Sequence, residues 1–124
     1  TEIQATLEIA KYITKNKIVV IFQPHRYSRT KSLYIDFVNV LMKADYLFIS
    51  DIYPAGEKPL KGINTSSLVR DISKRGLKNV QYINNSNSLN STLSTFYEKE
   101  NLIIFMGAGS ISQWANDLMK EMCV

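Results

Sequence analysis

Four short apolar runs constrain this chain more than anything else in it: Lys17-Ile18-Val19-Val20-Ile21-Phe22, Tyr46-Leu47-Phe48-Ile49, Val80-Gln81-Tyr82-Ile83 and Leu102-Ile103-Ile104-Phe105-Met106. Each is too short for a helix, and their β-branched and aromatic content suits strands, the first two buried on both faces. Helical patterns lie between them. Thr1-Glu2-Ile3-Gln4 forms a capping box, and Ile3, Leu7 and Ala10 share one face of a helix over roughly residues 2–15. Thr30 is placed to cap a helix carrying Leu33, Phe37 and Leu41, and Thr65 or Ser66 to cap one carrying Leu68, Val69 and Ile72 that stops at Gly76. The polar run Asn84 to Ser88 starts a helix on Leu89, Leu93 and Phe96, and a last helix turns Ile111, Trp114, Leu118 and Met122 inward. Strands alternating with helices predict an α/β fold of Rossmann-like type, three layers αβα around a mainly parallel sheet with right-handed crossovers. The expected strand order is 3-2-1-4.

That order has a functional consequence. With the first and fourth strands adjacent and their following helices on opposite faces, the fold has a topological switch point, and open α/β sheets bind ligands outside the carboxyl ends of the strands at such a point. The loops that meet there are Gln23 to Arg29 and Gly107 to Ser110. The first holds Pro24-His25-Arg26-Tyr27-Ser28-Arg29, with the chain's only histidine. Arg26 and Arg29 flank the start of a helix whose free N–H groups also favour anions, and two guanidinium forks make a clamp for carboxylate or phosphate. The plainer reading is a pair of surface arginines in ordinary salt bridges; the crevice position favours the clamp. His25 either donates to the same anion or bonds the backbone, and the residues alone do not decide. Gly107-Ala108-Gly109-Ser110, between strand and helix, resembles an anion-cradling turn, although glycine here also serves turn geometry alone. It is an incomplete G-x-G-x-x-G, because Ser112 stands where the third glycine belongs.

Composition bounds the rest. The 124 residues suit one domain, and the hydrophobic share of 45% is ordinary for a globular chain. No run approaches a membrane span. Fifteen Lys and Arg against eleven Asp and Glu leave a net charge of +4, compatible with an anionic ligand but short of the basic stripe of a nucleic-acid binder. Neither nucleic acid nor membrane is expected as a partner. The single cysteine, Cys123, allows no internal disulfide and suits a reducing, cytoplasmic setting, and no Cys/His spacing suggests a metal. Thr1 is not methionine, so targeting upstream of it is not judged. There is no P-loop and no nucleophile triad. The segment Asp51 to Asn64, with Pro54, Gly56, Pro59 and Gly62, reads as a long irregular loop of the kind that is often functional, carrying Asp51, Tyr53, Glu57 and Lys58 beside the second strand. A proline-stiffened turn with solvated charges explains it equally well. Trp114 packs the last helix, and Cys123 receives no role.

Phe22-Gln23-Pro24-His25-Arg26-Tyr27-Ser28-Arg29-Thr30 resembles a signature of the C-terminal domain of the Mur ligase family, in its L-alanine-adding members. Asp51-Ile52-Tyr53-Pro54-Ala55-Gly56-Glu57, Gly107-Ala108-Gly109-Ser110-Ile111 and Thr1-Glu2-Ile3 follow the family's order and spacing, so the resemblance covers nearly the whole chain. Ser28 replaces a common threonine, and the tripeptide-attaching sibling carries a different His-Arg loop. The resemblance implies a three-domain enzyme of peptidoglycan synthesis of which this is the third domain, residues 1–124, the uridine-nucleotide and central ATP domains lying outside the chain. It implies ATP-dependent ligation of L-alanine to UDP-N-acetylmuramate through an acyl phosphate. ATP and magnesium are then held mainly by the central domain, and none is expected on this chain alone. Carried over by position, Arg26, Arg29 and His25 are the catalytic candidates. The same three, with Tyr53, Gly107, Ala108, Gly109 and Ser110, are the substrate-binding ones. A family Gly-His-His-Pro segment is expected just before Thr1. The rival expectation is a stand-alone Rossmann-like module that holds a nucleotide or RNA end without catalysis.

Overall fold

A computed structural model describes residues 2–84, 86–96, 101–107 and 111–122. Helix α1 (Glu2–Ile13) leads into strand β1 (Ile18–Gln23), whose six residues are all buried. Two short helices follow, α2 (Tyr27–Ser32) and α3 (Tyr34–Leu41), then strand β2 (Tyr46–Ile49). After the loop come α4 (Thr65–Lys74), β3 (Val80–Tyr82), α5 (Ser86–Leu93) with a 3-10 turn over Ser94–Phe96, β4 (Leu102–Gly107) and α6 (Ile111–Met122).

The sheet has the order β3-β2-β1-β4 and every pairing is parallel. Alternate side chains of the central strands enter different cores. Ile18, Val20, Phe22, Leu47 and Ile49 pack with Leu7, Val38, Leu41, Leu68 and Ile72, which puts α1, α3 and α4 on one face. Val19, Ile21 and Phe48 pack with Leu89, Leu93 and Ile111, which puts α5 and α6 on the other. This explains why β1 and β2 read as unbroken apolar runs: a strand covered on both sides has no polar alternation. It also makes β1/β4 the switch point, since α3 and α6 leave on opposite faces.

Two helix starts differ from expectation. Thr30 does not cap a helix. It lies one turn inside α2, buried, with its hydroxyl donating to the Arg26 carbonyl at 2.7 Å. The helix starts earlier because Arg26 turns the chain with a φ of 68°, so that its carbonyl accepts from Thr30 N–H at 3.1 Å. The expected single helix is broken at Leu33, although Leu33 N–H to Arg29 and Phe37 N–H to Leu33 carry the ladder across the kink. The cap of α4 is Asn64, not Thr65 or Ser66: its side chain accepts from Ser67 N–H at 2.8 Å, while the Thr65 hydroxyl turns inward to the Ser50 carbonyl at 2.7 Å. Burying a hydroxyl requires a partner, and the end of β2 supplies one. Thr1, Ala108 to Ser110 and Cys123 lie outside the described residues, as do the side chains of Leu118 and Met122.

Candidate functional site

The site grows from the register of β1 with β4. Gln23 pairs with Gly107, so the two strands end level. Gly107 has a φ of 130°, and a β-carbon there would come within 2.3 Å of the Gln23 carbonyl oxygen. Only glycine permits that approach. Outside this pair lies a cleft of about 350 Å³ lined by Ile3, Thr6, Phe22, Gln23, His25, Arg29, Phe37, Met106 and Gly107. Its floor is apolar, and its charged group is Arg29.

A larger hollow, about 760 Å³, opens at the amino ends of β1 and β2 beside Lys17, Asp45, Phe96 and Asn101. Two of its polar side chains, Asp45 and Asn101, are occupied in starting the sheet. Asp45 accepts from Ile18 N–H at 2.8 Å and Asn101 from Lys17 N–H at 3.1 Å. The carboxyl-end cleft is therefore the better candidate.

The His-Arg segment is held by the long loop, which does prove irregular over its length. His25 and Tyr53 form a parallel bridge: Tyr53 N–H donates to Pro24 at 2.9 Å and Arg26 N–H to Tyr53 at 2.7 Å. The two rings stack with centroids 5.6 Å apart and 11° between planes. Arg26 and Arg29 are exposed, and among the described residues neither guanidinium has a hydrogen bond or ion pair. Among the described residues the pair enters none of the surface salt bridges that the plainer reading supposes. Arg29 and His25 share the cleft with Gly107; Arg26 and Tyr53 stand outside its lining.

Sequence reasoning missed four contributors. Gln23 is buried at the strand end and its amide donates to the Asp51 carbonyl at 3.2 Å. Ile3 and Thr6 bring α1 to the cleft wall. Glu57, flagged only as a loop charge, reaches Ser28, accepting from its N–H at 2.9 Å and from its hydroxyl at 2.6 Å. Those bonds, the hydroxyl first, hold the Glu57 carboxyl below its ordinary range, with Arg26 adding a smaller attraction. No local pattern links residues 29 positions apart, so only the loop's unusual length pointed toward them.

No family model matches the chain. Curated relatives do. It is 44% identical over 122 residues to a UDP-N-acetylmuramate–L-alanine ligase of Geotalea uraniireducens, an alignment covering 98% of this chain and 27% of that protein. It is 38% identical over 121 residues to the ligase of the same name from Allorhizobium ampelinum, covering 98% of the chain and 26% of the relative. With the one from a Geobacter species the identity is 41% over 114 residues, covering 91% and 25%. The chain thus spans about a quarter of the length of the relatives it matches. A parallel sheet whose switch point gathers Arg29, His25 and Gly107, in a sequence aligned almost end to end with these proteins, belongs to the UDP-N-acetylmuramate–L-alanine ligase family.

Proposed function

We propose that the chain is the C-terminal, amino-acid-holding domain of a three-domain, ATP-dependent ligase. That enzyme would join L-alanine to UDP-N-acetylmuramate in the cytoplasm during peptidoglycan biosynthesis. The observation that carries this reading is an Arg29 that lines the switch-point cleft beside His25 and Gly107 and has no ion pair among the described residues, in a chain with such close ligase relatives.

Arg29 would take the alanine carboxylate, since a guanidinium fork matches a carboxylate in plane and charge. Holding that end leaves the amine free to face the second substrate. Arg26, outside the cleft lining and exposed, would lie over the approach of the anionic sugar nucleotide and the transferring phosphoryl group, whose developing charge fixed cations stabilise. His25 would line the pocket, with Tyr53 stacked on its ring and bridged to its backbone. Gly107 to Ser110 would border the same pocket. ATP and magnesium would be held mainly by the rest of the enzyme. This sequence has no P-loop, and the described residues include no group of three His, Cys, Asp or Glu suited to a metal.

Arg29→Ala in the full-length ligase tests the assignment. A lost charge-assisted contact is expected to lower kcat/KM for L-alanine about ten- to a hundred-fold. The melting temperature should barely move, because an exposed arginine with no ion pair among the described residues contributes little stability. Wild-type kinetics with L-alanine varied would refute it.

A further inference from the structure

The long loop delivers one carboxylate to the arginine segment without a hydrogen bond or ion pair to either guanidinium. Pro54 to Glu57 form a turn closed by Glu57 N–H on the Pro54 carbonyl at 3.0 Å, with Ala55 and Gly56 both at positive φ. That turn aims Glu57 at Ser28, between the two arginines in sequence. An ion pair with either arginine would neutralise the charge the site needs. Glu57 bonds Ser28 instead, at 2.9 Å to the N–H and 2.6 Å to the hydroxyl. Helix α2 has six residues, too few to hold itself in water, and it follows directly on Arg26, whose φ is 68°. Something outside the helix must hold its first turn.

We propose that Glu57 is a positioning residue for this site: by gripping Ser28 from across 29 residues of sequence, it fixes the first turn of α2 so that Arg29 reaches the cleft with no carboxylate of the described residues paired to it. With Tyr53 holding His25 and Arg26, the loop then grips the His-Arg segment at two points. The inference rests on the ligase reading above, in which Arg29 holds L-alanine.

Its test is steady-state kinetics of the full-length ligase, with L-alanine varied, for Glu57→Ala, Arg29→Ala and the double variant, each with a thermal midpoint. Glu57→Ala should lose about tenfold or more in kcat/KM for L-alanine. The double variant should be no worse than Arg29→Ala alone, because Glu57 then has nothing left to position. Losses that multiply overturn the proposal. Glu57→Gln, which keeps an oxygen for the Ser28 N–H and an amide for its hydroxyl, should recover most of the loss; a Gln variant as impaired as Ala overturns it. Should Glu57→Ala fail to fold, Glu57→Gln and Ser28→Ala carry the test from the two ends of the link. Ser28→Ala is expected to be impaired for L-alanine, and a wild-type result there overturns the proposal. Impaired Arg29→Ala beside normal Glu57→Ala sinks this inference alone. Normal Arg29→Ala sinks the ligase-site reading, and the inference falls with it.

Discussion

Replacing Gly107 with alanine concentrates the cost of the switch point in a single methyl group. The added carbon would stand 2.3 Å from the Gln23 carbonyl oxygen, 3.0 Å from its nitrogen and 3.1 Å from its carbonyl carbon. All three are backbone atoms of a paired strand, so no side chain can swing aside; β1 and β4 must part where they end. Holding an L-residue at a φ of 130° costs about 1–3 kcal/mol, and forcing a methyl into filled space costs about 1–3 kcal/mol more. Against a typical domain stability of about 5–15 kcal/mol, a loss near 3–4 kcal/mol would lower the melting temperature by about 10–20 °C. The assay is thermal unfolding followed by circular dichroism. Gly56→Ala is the control, because Gly56 also has positive φ, 88°, but its β-carbon would meet nothing within 4 Å. That variant keeps the conformational cost and omits the collision, so it should lose only about 1–2 kcal/mol. If Gly107→Ala melts no lower than Gly56→Ala, the close approach of the two strand ends does not constrain the fold as argued.

Asn64→Ala should cost about 1 kcal/mol by leaving Ser67 N–H without its cap, seen as a lower urea midpoint; an unchanged midpoint would show that the bond contributes nothing. Tyr34 donates to Asp71, with burial and then that bond raising the Tyr34 hydroxyl above its ordinary 10.0 and the bond holding the Asp71 carboxyl below its ordinary 3.8. The Asp71 contribution is present above the ordinary carboxylate value and is lost as pH falls through the depressed one; the Tyr34 contribution is intact below pH 10 and is lost as pH rises beyond it. The stability gap between wild type and Tyr34→Phe should therefore close at both extremes, and a gap flat across pH contradicts the pairing. The 124-residue chain alone should release no phosphate from ATP, since it has no P-loop; turnover abolished by a mutation within the chain would overturn this.

Much of this fold is written locally. The runs around Val19 and Phe48 can be little other than buried strands, and helical spacing identifies Leu7, Leu68 and Leu89 as inward-facing, which each proves to be. Alternation of such elements implies parallel pairing, and right-handed crossovers leave few orders to choose from. The His-Arg loop was conspicuous for the same reason, as charge emptying from an apolar strand. Where α2 begins is a different kind of question. Thr30 is the better cap by local preference, yet the chain turns at Arg26 because Tyr53 pairs with His25 and Glu57 holds Ser28. Asn64 takes the cap of α4 because the end of β2 claims the Thr65 hydroxyl. These outcomes depend on partners tens of residues away, brought close only once the sheet has formed. Periodicity and composition report a residue's surroundings within a few turns of chain. Which arginine lines the cleft, and that Glu57 bonds Ser28, is decided by distances that only the assembled tertiary structure contains.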